Sequence, residues 1–303
     1  MIKEKSHSFN SKILLFGEYS LMKGSMALSI PFDKFSGRLT FGTEKNIWDK
    51  HFSRPYLIYY LKFLKDNNLD SIINTEEFED DLDKGLVFEC NIPISYGLGS
   101  SGAVVASLYN AYAKNHSNIL LELKRIFSAL ESFYHGQSSG LDPLVSYLNK
   151  AILIDDFGNL KQMQIPEIKM QKNEGIFLLD TDTSGETQPL VDWFLKKYEN
   201  HEFHELIQNQ LITSNNNCIN SFLEGNFDSI FKCSKNTSAF TFEHLKPMIP
   251  DSIKEIWYAG LISNEYYLKL CGSGGGGMLL GFSQNIDKTI QQLSEFQIHV
   301  LKF

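Results

Sequence analysis

Four residues of this 303-residue chain could share one piece of chemistry: Lys12, Ser101, Glu131 and Asp142. Ser101 closes a glycine-rich stretch, Pro93-Ile94-Ser95-Tyr96-Gly97-Leu98-Gly99-Ser100-Ser101-Gly102, that runs into the apolar segment Ala103-Val104-Val105-Ala106. Glycines at 97, 99 and 102 let a backbone approach phosphate oxygens, while the first amides of a following helix offer donors and a partial positive charge. Pro93, Gly97, Leu98, Gly99, Ser100, Ser101 and Gly102 are therefore the expected phosphate-binding residues. The stretch is not a Walker A loop, because no Gly-Lys-Ser/Thr follows, so positive charge must come from elsewhere. A magnesium ion held by few protein oxygens would supply it, with Ser101 and Glu131 as the donors. Asp142 would accept or orient the proton of an acceptor hydroxyl, with Lys12 supplying positive charge beside it. Read alone, Glu131 favours a solvated helix carboxylate, and Asp142 reads as a helix cap and Lys12 as a strand-edge lysine.

These residues need elements to hold them. Lys12 opens a short apolar run, Ile13-Leu14-Leu15-Phe16, ended by Gly17, which reads as a buried strand with Glu18 and Tyr19 at its exit. Leu86 to Ile94 reads as a strand, and the chain then passes through the loop into a helix. A second helix is predicted over Leu120 to Tyr134, from Leu123, Phe127, Leu130 and Tyr134 at helical spacing, with His135-Gly136 ending it. Asp142-Pro143 is predicted to open a third helix, with Asp142 as N-cap and Pro143 at the first helical position. Further on, Gly175 to Asp180, Tyr266 to Leu270 and Met278 to Phe282 read as strands, the last two flanking Gly272-Ser273-Gly274-Gly275-Gly276-Gly277. So many glycines imply close approach to another backbone or a ligand, and the loop is expected to face the phosphate-binding stretch. Asn215-Asn216-Asn217 reads as a solvated helix end or loop.

Composition bounds the alternatives. Hydrophobic residues make up 43% and charged residues 21%, an ordinary globular balance. Length favours two domains, placed at 1–174 and 175–303 because a polar, irregular stretch over 161–174 precedes the strand at Gly175. The net charge of -8 argues against broad capture of nucleic acid or anionic membrane. Met1 to Ser8 lacks an apolar core and no apolar stretch reaches spanning length, so a cytoplasmic protein is expected. Cys90, Cys218, Cys233 and Cys271 form no Cys-x-x-Cys pair and read as reduced, buried thiols.

Three motifs in order resemble the GHMP kinase superfamily, and within it the mevalonate kinases most. They are Lys12 to Tyr19, Pro93 to Ser101, and Lys269-Leu270-Cys271-Gly272-Ser273-Gly274-Gly275-Gly276-Gly277. Glu131-Ser132-Phe133-Tyr134-His135-Gly136-Gln137-Ser138-Ser139-Gly140-Leu141-Asp142 resembles the segment that carries that family's magnesium glutamate and catalytic aspartate. The resemblance implies an α+β, two-domain GHMP kinase fold, with an N-terminal ribosomal S5 domain 2-like domain, a C-terminal ferredoxin-like domain and the active site in the cleft between. It implies ATP and Mg2+, with Asp142 and Lys12 catalytic, Ser101 and Glu131 on the metal, and Glu18, Tyr19, His135, Gly274 and Gly275 as candidate substrate contacts. The expected partner is a small molecule, with mevalonate foremost and no nucleic acid or membrane; a homodimer is left open. This sequence departs from the family at Ser11, where Pro-Gly usually precedes the lysine, and at Tyr19, where histidine is usual. Cys271 stands in place of threonine, and Gly102 where alanine is common. The alternatives are another acceptor of the same superfamily (phosphomevalonate, a sugar, or diphosphomevalonate in a decarboxylation) and a non-catalytic ligand-binding descendant.

Overall fold

The structure, a computed structural model, describes residues 7–42, 53–185 and 187–303; the reading made for residues 1–6 lies outside them. In chain order the elements are β1 (Phe9–Phe16), β2 (Ala27–Phe41), α1 (Arg54–Asp66), α2 (Thr75–Asp83), β3 (Leu86–Cys90), α3 (Ser100–Tyr112), α4 (Leu120–His135), α5 (Leu141–Leu148), β4 (Ala151–Ile154) and β5 (Leu160–Met163). There follow β6 (Gly175–Asp180), α6 (Thr187–Tyr198), α7 (His201–Leu206), a π-helical turn (Ile207–Ile212), α8 (Thr213–Leu223), α9 (Phe227–His244), α10 (Asp251–Ser263), β7 (Tyr266–Leu270), β8 (Met278–Ser283), α11 (Ile286–Gln292) and β9 (Ile298–Leu301). No helix among the described residues is long and apolar enough to cross a membrane.

The chain divides into two compact units that are not continuous in sequence. One takes Met1–Ile13, Ser29–Pro93 and Gly99–Ala151; the other takes Leu14–Leu28, Ile94–Leu98 and Ile152–Phe303. β6 begins at Gly175, where the sequence reading starts its second domain.

In the first unit β2 pairs antiparallel with β3, Gly37 opposite Cys90 through Phe41 opposite Leu86. Its centre is α3, whose residues 102 to 109 are all buried, so this helix is apolar all round, as a core helix must be. α4 is amphipathic, and Leu123, Phe127, Leu130 and Glu131 form its buried stripe. Phe127 meets Tyr109 edge to face with ring centroids 5.1 Å apart, and the buried Tyr60 hydroxyl donates to Leu130 O at 3.0 Å. Glu131 therefore enters the interior as part of the face that packs, where the spacing alone favoured a solvated carboxylate.

The second unit has a four-stranded sheet in the order β7-β8-β6-β9. β6 is buried along nearly its whole length because strands flank it on both sides, with Ile176 opposite Phe282 and Leu178 opposite Leu280. Phe177, Leu179, Phe194, Trp257, Tyr266 and Leu268 belong to the core on this sheet.

Three expectations are corrected. Asp142 is not an N-cap: Gly140 holds that position in a left-handed conformation, α5 starts at Leu141, and Asp142 lies in its first turn. The asparagines are not a solvated end: Asn215 is buried within α8, where its Nδ2 donates to Met26 O at 2.8 Å and Asn216 Oδ1 accepts from Met26 N at 3.0 Å. Nor are all four cysteines reduced. Cys218 and Cys233 form a disulfide, their Cα atoms 5.5 Å apart, because the turn between α8 and α9 folds the two helices onto each other. Cys90 and Cys271 are buried thiols, as read.

Candidate active site

The first unit assembles the four chemical residues into two contacts. Lys12 Nζ, on β1, lies 3.0 Å from Asp142 Oδ2, and the lysine side chain is 5% exposed against 32% for the aspartate. Ser101, on the first turn of α3, donates to Glu131 Oε1 at 2.9 Å and meets His135 Nε2 at 3.1 Å. The second carboxylate oxygen, Glu131 Oε2, accepts from Ser138 Oγ. Ser138 Oγ in turn accepts from Gly140 N at 3.0 Å. Glu131 and His135 are one helical turn apart on α4, so both reach the same hydroxyl.

Gly102 explains how α3 and α5 come so close. A Cβ at this position would lie 2.8 Å from the Asp142 carbonyl carbon and 2.9 Å from Pro143 N. The alanine common in the resembling family does not fit unless α5 shifts, and that shift would carry Asp142 with it.

Electrostatics set this cluster apart. Burial pushes the Glu131 carboxyl up to about 7, and the neighbouring Asp142 charge adds to the effect. Hydrogen bonds from Ser138 and Ser101 and the charge of Lys12 oppose it. Burial also holds the His135 imidazole below its ordinary value, with Asp142 acting against the shift and Lys12 with it. Two carboxylates thus share one lysine in a partly dehydrated setting, an arrangement that a divalent cation would balance. Among the described residues no group of three or more His, Cys, Asp and Glu side chains is placed to hold a metal. An ion here would need phosphate oxygens to complete its shell, which suits magnesium.

In the second unit the turn after β1 meets the glycine loop. Lys269 Nζ donates to Glu18 Oε1 at 2.6 Å and to Leu270 O at 2.7 Å, with the paired side chains 3% and 8% exposed. Tyr19 has φ 59°, rare for a residue with a side chain. It is held there by its hydroxyl, which donates to Ser273 O at 2.6 Å, and by its ring, 4.7 Å from that of Phe194. Burial first, then the Glu18 charge, pushes this phenol well above its ordinary value. The glycine loop meets the Ile94–Leu98 part of the glycine-rich stretch, where Met278 N donates to Tyr96 O at 3.2 Å, and it is held on its other side by Gly275 N, which donates to Met248 O at 2.7 Å. Of the five candidate substrate contacts, Glu18, Tyr19 and Gly275 thus spend these polar atoms on Lys269, Ser273 O and Met248 O. Gly274 packs its backbone near Met248 O, and His135 faces Ser101.

Gly97 carries the tightest of these contacts. A Cβ would stand 2.0 Å from Cys271 O, and its φ of +75° is one that side chains rarely adopt. Gly97→Ala is expected to lose more than about 2 kcal/mol of stability, from the left-handed conformation and the clash together. Urea denaturation measures it, and an unchanged midpoint would mean that the two loops are not pressed together.

Sequence reasoning missed Ser138, Lys269 as the partner of Glu18, and Asn215 with Asn216. Ser138 sat within the quoted motif as a polar turn residue. Lys269 opened the third motif, and its place inside the apolar run Tyr266 to Leu270 was the signal, since an interior lysine requires a carboxylate.

Comparison with known proteins bears on the fold. Residues 65–150 match the family described as the GHMP kinases N terminal domain. A mevalonate kinase of Pyrococcus abyssi is 26% identical over 298 residues, covering 89% of this chain and 85% of its own length. The solved mevalonate kinase of L. major in complex with R-mevalonate superposes with a TM-score of 0.63 at 15% identity, covering 99% of this chain and 98% of that one. Lactococcus lactis galactokinase complexed with galactose gives 0.65 at 15%, covering 98% and 92%. The chain has the α+β GHMP kinase fold, and fold likeness does not separate one acceptor from another.

Proposed function

We propose that this small-molecule kinase, which carries a GHMP kinase N-terminal domain, transfers the terminal phosphoryl group of ATP to the hydroxyl of mevalonate, giving 5-phosphomevalonate for isoprenoid precursor synthesis. The observation that carries the acceptor is the similarity to mevalonate kinases over 89% of the chain. Structural likeness is equal for a sugar kinase. The assignment of a cytoplasmic protein, and of two domains at 1–174 and 175–303, belongs to the same proposal.

The residues divide the work as follows. Free amides at the start of α3 and the backbone from Pro93 to Gly102 bind the phosphates. Asp142 takes or aligns the acceptor's hydroxyl proton as the acceptor oxygen bonds to phosphorus and the bond to the leaving phosphate breaks. Lys12, 3.0 Å from Asp142 Oδ2, fixes the carboxylate and offsets charge building on the transferred group. Ser101 and Glu131 would hold magnesium, which when bound neutralises phosphate charge. The buried, doubly hydrogen-bonded Glu131 supports that role.

ADP release by the purified protein with Mg-ATP, against mevalonate, phosphomevalonate, diphosphomevalonate, galactose and homoserine, tests the acceptor. Mevalonate is expected to give the highest kcat/KM. A wide margin for another compound would move the chain to another branch of the superfamily, and no turnover with any of them would favour a binding protein.

A further inference from the structure

The chemistry above uses Ser101 and Glu131 and leaves His135 without a task, although its ring nitrogen touches the same hydroxyl. Ser101 Oγ lies 2.9 Å from Glu131 Oε1 and 3.1 Å from His135 Nε2. Glu131 Oε2 is occupied by Ser138, whose oxygen is itself occupied by Gly140 N–H at 3.0 Å. A serine has one proton and two lone pairs, and Ser101 gives its proton to Glu131 Oε1 at 2.9 Å. The one proton of Ser101 therefore points to Glu131, and the contact with His135 closes when the imidazole donates. Whether the ring carries one proton or two, Nε2 must hold one. Two strands of hydrogen bonds then run inward to Glu131: Gly140 to Ser138 to Oε2, and His135 to Ser101 to Oε1.

We propose that His135 is the positioning residue for Ser101. Its Nε2–H occupies one lone pair of Ser101 Oγ while Glu131 takes the proton, so a single lone pair remains, in one fixed direction, to meet a cation. Without His135 the bond to Glu131 alone holds the hydroxyl, and two lone pairs stand open instead of one. The inference rests on the reading of Ser101 and Glu131 as magnesium donors and adds the group that aims one of them. It belongs to this chain's own geometry, since His135 sits one turn beyond Glu131 on α4, before the chain leaves the helix at Gly136.

Two measurements on the full chain test it. The first is long-range proton–nitrogen NMR of histidine-labelled protein at neutral pH, with the His135 signal assigned from its loss in His135→Gln. A protonated Nε2 is expected, and a bare Nε2 with the proton on Nδ1 overturns the proposal. The second uses Mn2+ as the probe, followed by electron paramagnetic resonance with a non-hydrolysable ATP analogue present. His135→Leu is expected to weaken Mn2+ binding by about 10- to 100-fold, the range for losing a group that orients a metal ligand. His135→Gln keeps an N–H donor of similar reach and should recover most of the loss. Unchanged Mn2+ affinity in His135→Leu, or equal losses in both variants, overturns the positioning role. Glu131→Gln is the control: if it abolishes Mn2+ binding while His135→Leu does not, only the present inference fails. If Glu131→Gln also binds Mn2+ normally, the magnesium assignment fails and this inference fails with it.

Discussion

An Asp142→Asn protein is expected to fold and to bind nucleotide while losing about a hundredfold or more of kcat, the range for removing a group that handles a proton. The substitution keeps size and shape. Because Gly140, and not Asp142, caps α5, no cap is lost. The amide oxygen can still accept from Lys12 Nζ across the present 3.0 Å, so the cost in stability is expected at about 1–2 kcal/mol. Nucleotide affinity should change little, since phosphate binding is assigned to Pro93 to Gly102. Initial rates with saturating ATP and mevalonate, together with a thermal melt, separate the outcomes. A well-folded variant with near wild-type kcat would remove Asp142 from the chemistry, with no capping role left to explain why it is there.

The second large effect is on stability. Lys269→Met should cost about 3–5 kcal/mol, because it leaves the Glu18 carboxylate, 8% exposed, without its ammonium partner at 2.6 Å. The lysine also lies 5.6 Å from the Phe16 ring centre, and methionine would keep that packing but not the charge. Adding Glu18→Gln should restore much of the loss, since an uncharged amide is cheaper to bury than an uncompensated carboxylate. Urea denaturation of the two single variants and the double variant gives the coupling directly. A Lys269→Met midpoint within about 1 kcal/mol of wild type would mean that water reaches Glu18.

Local pattern carried the elements well. β6 and β7 span Gly175–Asp180 and Tyr266–Leu270, as their apolar runs between glycine and polar turns implied, and α4 begins at Leu120 where its helical spacing begins. β1 extends further toward the N-terminus than the apolar run, to Phe9, because polar Ser11 is buried with its hydroxyl on Phe32 O at 2.8 Å. β5 appears at Leu160–Met163, inside a stretch too polar to announce a strand.

What escaped the sequence depended on partners far along the chain. Asp142-Pro143 has the composition of a helix start, but Gly140 in the left-handed region opens the helix two residues earlier. Consecutive asparagines suggest water until Met26 supplies the backbone groups that Asn215 and Asn216 bind. Cysteines 15 positions apart announce no bond until a helix hairpin joins them. The residues themselves were legible in each case, and the groups they would meet were not.

The Gly17 to Tyr19 turn carries a consequence for synthesis. Its contacts with Lys269 and Ser273 join positions 251 and 254 apart. At about 5–20 residues per second, the ribosome exposes Glu18 and Tyr19 roughly 13–50 s before their partners exist. Over that interval α3, α4 and α5 can emerge and pack, while the segment from Leu14 to Leu28 waits with its carboxylate hydrated and its tyrosine ring unburied. The turn is made long before its partners and is among the last pieces to find its place. Truncation before Lys269 would therefore strand it, leaving a nascent chain with a finished helical cluster and an open apolar end for chaperones to hold.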